Sequence, residues 1–496
     1  MRIFSFLGLL LLCWSCSDQS ATSSTATASP STVQASKAST VAVTNNNATD
    51  EPVGPAKIEV EVSGMEDGRV LLVGFYETEQ YRADTATMRQ GKATFRREEG
   101  YKQGFYIISL PNRNTLQILV GADQQFKITS IADDLVMGTQ ISGSQNNELL
   151  YENLKFQENL NPRFLAVSND LKTAQAGTPE YDQFKKEQDQ LTAERNNHLN
   201  SLYNEAPNSL FTSFKRAGQN PDLKDFRLKD GSPDEVAQIQ AYKIEFWDNV
   251  DFSDERLLRS PVIINKLKRY MTQLTPQNPD SITTSADRLI AKVEGKYPKY
   301  FKFFANWVAL QYQPTKTTLM DAEAVMVHMV QNYFTEEKAF WAQPGEVQGL
   351  QQRAAEMQAS LVNKKGPDVI STDPNGQTRS IYEMDNDYIV VYMYNPECEH
   401  CQEETPILRD FSIRYKDKVG VFAIAIDTDD TKWRNYIQKA GIQNWTNVYD
   451  PTNRSIYAKY FVDKTPELYL LNKDKVIIGK NLKTFQAEEL IKREEG

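Results

Sequence analysis

The residues with the clearest chemical potential in this 496-residue sequence are two cysteines near its C-terminal end. Cys398 and Cys401 form a Cys-x-x-Cys pair. In such a pair one thiolate can attack a disulfide, and the second thiol can then resolve the mixed disulfide. The chain contains four cysteines, and the other two, Cys13 and Cys16, lie near the N-terminus. Because a disulfide framework cannot be built from so few, the pair is predicted to be a redox-active disulfide that needs no separate cofactor.

The pattern around this pair predicts a strand that leads directly into a helix. Residues 388–394 form a continuous apolar run, and a helix is predicted to follow Cys401. A cysteine at the N-terminus of a helix lies close to unpaired N–H groups and to the positive end of the helix dipole, which favour its thiolate. Cys398 is therefore predicted to be the nucleophile and Cys401 the resolving thiol, and the strand–helix context is that of a redox motif.

Three neighbouring side chains are predicted to tune the pair. His400 favours the thiolate when it is protonated, whereas the charge of Glu399 opposes it. Glu404 follows Cys401 by three residues and so lies on the same face of the predicted helix. Its carboxylate could exchange a proton with Cys401 and raise the pKa of that thiol. The alternative interpretation of Glu404 is a solvated acid on the helix surface.

Further motifs resemble those of thioredoxin-like domains of the TlpA/ResA type. The Gly-Pro-Asp sequence at 366–368 and the turn at 375–376 resemble the lead segment and the short hairpin of that family. Thr465 and Pro466 resemble its cis-proline loop, and a glutamate at the place of Glu404 is typical of the branch that acts in cytochrome maturation. The resemblance implies a thioredoxin fold near the C-terminus, substrate contact at Thr465-Pro466, and thiol–disulfide exchange.

One position departs from the family pattern and bears on the direction of the reaction. Glu397 stands where the family usually has a tryptophan, so a charge replaces a stacking surface beside the nucleophile. Together with Glu399 and Glu404 it surrounds the pair with negative charge, whereas His400 is only partly charged near neutral pH. Negative charge disfavours the thiolate. The sequence therefore predicts a weakly reducing pair, with a potential nearer to the value of about −270 mV for thioredoxin than to about −120 mV for DsbA.

The rest of the chain is predicted to fold as two further domains. Residues 57–144 contain strand-length runs such as the alternating Ile58, Val60 and Val62, which indicate an antiparallel β-sandwich or small barrel. Residues 145–361 have helical patterns. The predicted fold class is multidomain, with an N-terminal antiparallel β domain, an all-α middle domain and a C-terminal α/β thioredoxin-like domain. The first two resemble regions that precede thioredoxin-like domains in Gram-negative lipoproteins.

The predicted thioredoxin-like domain spans residues 362–496, and the histidines outside it are not expected to do chemistry. His328 lies in an apolar stretch and is interpreted as a satisfied core residue. His198 lies among asparagine and arginine residues and is interpreted as a solvated surface residue.

Residues 1–16 have the pattern of a lipoprotein export signal. The apolar run at 3–12 is too short to cross a membrane. Cys16 follows a small residue, which resembles a bacterial lipidation site, although Cys13 stands where such signals usually carry an aliphatic residue. The resemblance implies cleavage before Cys16 and a lipid on its thiol; an ordinary secretory leader is the alternative. The Ser/Thr/Ala-rich segment 17–56 is predicted to be a disordered tether, because it cannot bury enough apolar area to fold.

Composition and motifs argue against several other functions. The net charge is −10 and no long basic run is present, which disfavours a nucleic-acid partner. No metal is expected, since a zinc site needs about four ligands and one Cys-x-x-Cys pair with His400 cannot supply them. Gln402 stands where c-type haem attachment requires a histidine. Asn395 stands where a peroxiredoxin-like peroxidase would need threonine or serine.

The sequence thus predicts an exported, lipid-anchored thiol–disulfide oxidoreductase in the cell envelope of a Gram-negative bacterium, facing the periplasm or the cell surface. Its expected partners are disulfide-containing exported proteins, which it would reduce, and a membrane protein that delivers electrons. An oxidase or isomerase of exported proteins is one alternative. A non-catalytic binding lipoprotein that uses the thioredoxin fold as a scaffold is another.

Overall fold

The structure is a computed structural model that describes residues 49–449, 452, 457–462 and 464–495. The chain divides after Leu274 into two compact units. The predicted export signal with Cys13 and Cys16, and most of the predicted tether, lie outside the described residues. In the part of the chain that is described, no helix is both long enough and apolar enough to span a membrane.

The first unit begins with a β region of two four-stranded sheets. Its strands, β1–β8 in chain order, are Ala56–Ser63, Gly68–Tyr76, Glu79–Met88, Lys92–Arg97, Gly104–Ser109, Thr115–Val120, Gln125–Ile131 and Gln140–Ser142. The sheet orders are β4-β1-β7-β8 and β3-β2-β5-β6. Ile58, Val60 and Val62 of β1 are buried in one core with Val70 and Leu72 of β2. The predicted antiparallel β domain is confirmed, although β1 and β7 pair in parallel, which the sequence did not indicate.

The residues just before β1 contact the β region instead of extending as a tether. Asp50 is buried. Its carbonyl accepts a hydrogen bond from the N–H of Gln103 at 2.9 Å, and its carboxylate accepts one from Arg259. The side-chain amide of Gln103 also donates to two backbone carbonyls within 49–51. The prediction of a disordered tether over 17–56 is therefore wrong at its C-terminal end, because the polar groups of that stretch find partners in the folded region.

Nine α-helices follow the β region along the described chain, five in the first unit and four at the start of the second. Those of the first unit, α1–α5, are Gln145–Thr173, Pro179–Glu205, Leu210–Gly218, Glu235–Glu245 and Pro261–Thr272. The next four, α6–α9 of the second unit, are Pro279–Ile290, Pro298–Gln311, Ala322–Tyr333 and Pro344–Gln358. The predicted helical middle region is confirmed, and its helices are divided between the two compact units.

The two histidines of this region differ in how well they were predicted. Nε2 of His328 lies 2.7 Å from Oδ1 of Asp287, so its ring is satisfied by a hydrogen bond. The ring of His198 stacks on Phe156 with 3.8 Å between the ring centroids and is half-buried. The prediction of a solvated His198 is wrong, because the aromatic ring from the preceding helix covers it. Among the described residues, no group of three or more His, Cys, Asp and Glu side chains could hold a metal ion.

The second unit ends in a seven-stranded sheet with helices. Its strands, β9–β15, are Ile370–Thr372, Thr378–Ser380, Tyr388–Tyr394, Val419–Ala425, Thr446–Tyr449, Glu467–Asn472 and Ile477–Gly479. Its helices, α10–α13, are Glu399–Arg414, Asp430–Ala440, Tyr457–Tyr460 and Thr484–Glu495. The sheet order is β10-β9-β13-β12-β11-β14-β15, in which β11, β12 and β13 run parallel. The predicted C-terminal α/β fold is confirmed.

Strand β11 is buried on both faces, which explains its unbroken apolar sequence. Val390 belongs to the core on one face of the sheet, whereas Ile389 and Val391 belong to the core on the other. A strand that is covered on both sides needs apolar residues in both directions. Helix α10 packs into the first core through Leu408 and Phe411. This packing fixes where α10 begins and therefore where the Cys-x-x-Cys pair lies.

Candidate functional site

The thiol pair lies at the junction between β11 and α10. Cys398 is the N-cap residue of α10, and its N–H donates to the carbonyl of Asn395 at 3.1 Å. The side chain of Asn395 holds this turn, since it accepts from the N–H of Glu397 at 2.7 Å and donates to the carbonyl of Asp427 at 3.0 Å. Both cysteines are free thiols; Cys401 is buried and Cys398 is partly exposed. The strand-then-helix context predicted for the pair is therefore present.

The two thiols have opposite pKa shifts. Burial acts to raise the pKa of Cys398, but hydrogen bonds from the side chains of Cys401 and Thr465 and from the N–H groups of Cys401 and His400 outweigh it, so the pKa is lowered from its usual 9.0. Burial raises the pKa of Cys401 to about 12, and its hydrogen bond to Cys398 adds to the increase. N–H groups at a helix N-terminus stabilise a thiolate in this way. Cys398 is thus the thiol that ionises first.

The loop before β14 brings Thr465 and Pro466 beside the pair. The peptide bond between them is cis. The carbonyl oxygen of Thr465 lies 3.4 Å from Sγ of Cys398, and both loop residues are half-buried. A disulfide that approaches the sulfur of Cys398 therefore passes next to this loop.

Two ionisable side chains near Cys398, those of Glu397 and His400, have ion-pair partners. Oε2 of Glu397 lies 2.8 Å from Nζ of Lys432, and Nδ1 of His400 lies 3.3 Å from Oε2 of Glu403. These side chains are exposed, so the pairs contribute little to stability. The pair of Glu397 and Lys432 nevertheless reduces the net charge near the thiols. Glu397 and His400 therefore do not act as the isolated charges that the sequence suggested, whereas Glu399 is exposed at the first position of α10.

The carboxylate of Glu404 contacts the start of the last helix, α13. It accepts hydrogen bonds from the N–H of Thr484 at 2.8 Å and from its hydroxyl at 2.7 Å, and it lies 3.4 Å from Nζ of Lys483. The interpretation of Glu404 as a solvated surface acid is wrong, because the residue is only 8% exposed. These bonds join α10 to the N-terminus of α13, where a carboxylate is favourable. Proton exchange with Cys401 remains a prediction.

A group of buried hydroxyls beneath α10 was missed by the sequence reasoning. Tyr392, Thr405 and Tyr436 form hydrogen bonds with one another and with the carbonyl oxygen of Cys401. The available signal was Tyr392, one of three tyrosines in the apolar strand β11, because a buried tyrosine hydroxyl needs a partner. The sequence of β11 does not indicate that Tyr436 of α11 joins the group.

Two parts of the chain match known protein families. Residues 386–477 match a thioredoxin-like family. The C-terminal domain is thioredoxin-like. Residues 56–150, in the β region, match a domain of unknown function (DUF4369). The search of curated proteins finds no match to the chain.

Solved structures of bacterial proteins are similar to parts of the chain. A thioredoxin-like protein from Bacteroides caccae ATCC 43185 is 21% identical, with a TM-score of 0.45; the match covers 55% of this chain and 97% of that one. A domain of a possible thiol-disulfide isomerase from Cytophaga hutchinsonii ATCC 33406 is 32% identical over 27% of this chain and 93% of that one, with a TM-score of 0.26. A thiol:disulfide interchange protein from Bacteroides sp. is 18% identical over 28% and 93% of the two chains, with a TM-score of 0.26.

Proposed function

We propose that this protein is an exported thiol–disulfide oxidoreductase that acts through Cys398 and Cys401. The observation that carries the proposal is the asymmetry of the two thiols within a thioredoxin-like domain. The partly exposed thiol caps α10 and has a lowered pKa, whereas the buried thiol has a pKa of about 12. A low pKa gives the first thiol its thiolate, and the second stays protonated until it is needed. A protein that used this fold only as a binding scaffold would not need two thiols that differ in pKa and exposure.

The proposed reaction has two exchanges. The thiolate of Cys398 attacks one sulfur of the substrate disulfide, whose S–S bond breaks, and the leaving thiolate takes up a proton. Cys401 then loses its proton and attacks Sγ of Cys398, which releases the second substrate thiolate. The substrate gains two electrons and the protein becomes the disulfide. We place the substrate chain beside Thr465 and Pro466, because the carbonyl of Thr465 borders the attacking sulfur.

Thiol trapping tests this function in the full chain. In reducing buffer we expect a maleimide reagent to modify Cys398 at pH values below 9.0, because its pKa is lowered. Cys401, which is buried and has a raised pKa, should react much more slowly than Cys398 at the same pH. After oxidation, neither cysteine should react until a reductant is added. Two cysteines that react alike in both buffers would contradict the oxidoreductase and favour a scaffold.

We propose that the pair works as a weak reductant. Glu397 is paired with Lys432, whereas the exposed carboxylate of Glu399 has its charge close to Cys398 and disfavours the thiolate. Equilibration with glutathione mixtures should therefore give a potential nearer to about −270 mV than to about −120 mV. A measured potential above about −180 mV, the range of an isomerase, would instead support oxidation or isomerisation of exported proteins.

We further propose that Glu404 assists Cys401 by exchanging its proton. Glu404→Gln should lower the pKa of the cysteine pair and slow the reduction of a disulfide substrate, because a negative charge near Cys401 is removed. The control is Lys483→Gln, which keeps the carboxylate and removes only its exposed cation. If Glu404→Gln changes only the stability of the chain, the carboxylate is limited to its hydrogen bonds with Thr484 of α13.

We place the protein at the cell envelope of a Gram-negative bacterium, held by a lipid on Cys16 and facing the periplasm or the cell surface. Support comes from the apolar leader and the small residue before Cys16. Outside the cytoplasm, a reductant needs a membrane protein that delivers electrons to the pair, and its substrates are exported proteins with disulfides. Fatty-acid labelling of the wild type and of Cys16→Ala tests the anchor: equal labelling would exclude it.

A further inference from the structure

Three buried hydroxyl groups from three different elements meet beneath the first turn of α10. Tyr392 lies on β11, Thr405 on α10 and Tyr436 on α11, and all three residues are buried. The hydroxyl of Thr405 lies 2.9 Å from that of Tyr392 and 2.9 Å from that of Tyr436. It also lies 2.7 Å from the carbonyl oxygen of Cys401, to which it donates. Both tyrosine hydroxyls lie within 3.4 Å of the same carbonyl oxygen.

The hydrogen atoms of this group can be assigned from the inventory of donors and acceptors. A threonine hydroxyl has one hydrogen and two lone pairs. Because Thr405 donates to the carbonyl of Cys401, its lone pairs are left to accept from Tyr392 and Tyr436. Every hydroxyl hydrogen then has an acceptor, and the bonds all run toward the carbonyl. In a buried site such bonds strengthen one another and fix the geometry of the group at their end.

The residue at that end is the one that faces the nucleophile. Cys401 follows Cys398 by three residues in the first turn of α10, and Cys398 packs against the core that contains Cys401. The thiol and the N–H of Cys401 both act to lower the pKa of Cys398. A rotation of the Cys401 residue would weaken both effects at once. We propose that Tyr392, Thr405 and Tyr436 are positioning residues, which hold Cys401 so that its thiol and N–H remain directed at Cys398. This inference rests on the proposed function, and it adds a hydroxyl network on the side of the pair that faces the core.

The test compares two buried hydroxyls on the same helix. Thr405→Val keeps the shape of the side chain and removes its hydrogen bonds. Ser412→Ala is the matched control: its hydroxyl donates to the carbonyl of Arg409 at 2.7 Å and accepts from Trp445 at 3.0 Å, without contact to either cysteine. Thr405→Val should raise the pKa of Cys398 by about 0.5 to 1, which is an about threefold to tenfold loss of thiolate at a fixed pH below that value. Ser412→Ala should leave this pKa unchanged.

The pKa of Cys398 is measured in the full reduced chain from the pH dependence of thiolate absorbance, which requires no turnover. This readout separates the inference from the proposed function, because a thiol pair can lack activity on proteins and still show the shift. Thr405→Ser keeps the hydroxyl and should restore the wild-type pKa. If Thr405→Val does not fold, Tyr436→Phe removes one donor, keeps the aromatic ring, and should raise the pKa in the same direction. Equal pKa values in the wild type, the Thr405 variants and Tyr436→Phe, or an equal increase in Ser412→Ala, would overturn the inference.

Discussion

Replacing Cys401 with serine should convert the protein into a covalent trap for its substrate. Cys398 keeps its place at the N-terminus of α10 and can still attack a disulfide. The mixed disulfide should then accumulate, because the variant lacks the thiol that resolves it. Cys401 is the only cysteine besides Cys398 among the described residues, and Cys398 packs against the core that contains it. Turnover should stop after at most one substrate molecule per protein. Non-reducing electrophoresis of the full chain with a disulfide-containing protein measures the adduct.

Cys398→Ser is the matched control for this trap. Among the described residues it leaves one thiol, the buried Cys401, whose pKa of about 12 keeps it protonated near neutral pH. We therefore expect neither an adduct nor turnover from this variant. An adduct that forms equally well with Cys398→Ser would show that the roles of the two thiols are reversed.

Replacing Lys480 with methionine should lower the free energy of unfolding of the second compact unit by about 3–5 kcal/mol. Lys480 is fully buried directly after β15, and its Nζ lies 3.3 Å from Oε2 of Glu323 and 3.8 Å from Oδ1 of Asp321. Both carboxylates are buried as well. Methionine fills similar volume but leaves them without a cation, and an uncompensated buried charge is costly. Hydrogen exchange of the amides of Glu467–Asn472 measures the loss.

The pH dependence of this loss provides an internal check. Burial raises the pKa of Asp321 to about 6, from 3.8. Between these values the folded state binds the proton more tightly than the unfolded state, so the contribution of this carboxyl to stability increases as the pH falls. Lys480 is the largest cause that lowers this pKa, so Lys480→Met should raise the pKa of Asp321 further. The destabilisation of Lys480→Met should therefore be largest well above pH 6, where the carboxyl is charged, and smaller toward pH 4, where it is protonated in both proteins.

Two further variants separate a buried charge from an exposed one. Lys492→Met removes an exposed lysine that lies 2.8 Å from Glu488, and it should leave the free energy of unfolding essentially unchanged, because solvent screens an exposed pair. Adding Glu323→Gln to Lys480→Met should recover part of the loss, since one uncompensated carboxylate is removed. A loss below about 1 kcal/mol in Lys480→Met would show that the cation is not needed in this cluster.

The sequence by itself determined the reactive pair and the two elements that hold it. The spacing of Cys398 and Cys401 defines the chemistry, and the apolar run before them and the helix after them are local features of the chain. The effect of a helix N-terminus on a thiolate is also local, because the N–H groups belong to the residues that follow the cysteine. For the same reason the alternating residues of β1 were enough to predict a strand with one buried face.

The tertiary structure decided which groups surround the thiols. Glu397 is paired with Lys432, which is 35 residues away in the chain. The carboxylate of Glu404 is bound 80 residues away, at Thr484. The hydroxyl of Tyr436 on α11 donates a hydrogen bond to Thr405, which is 31 residues away in the chain. Periodicity shows which face of a helix is buried but not which residue of another element meets it, because that depends on how the helices are placed on the sheet.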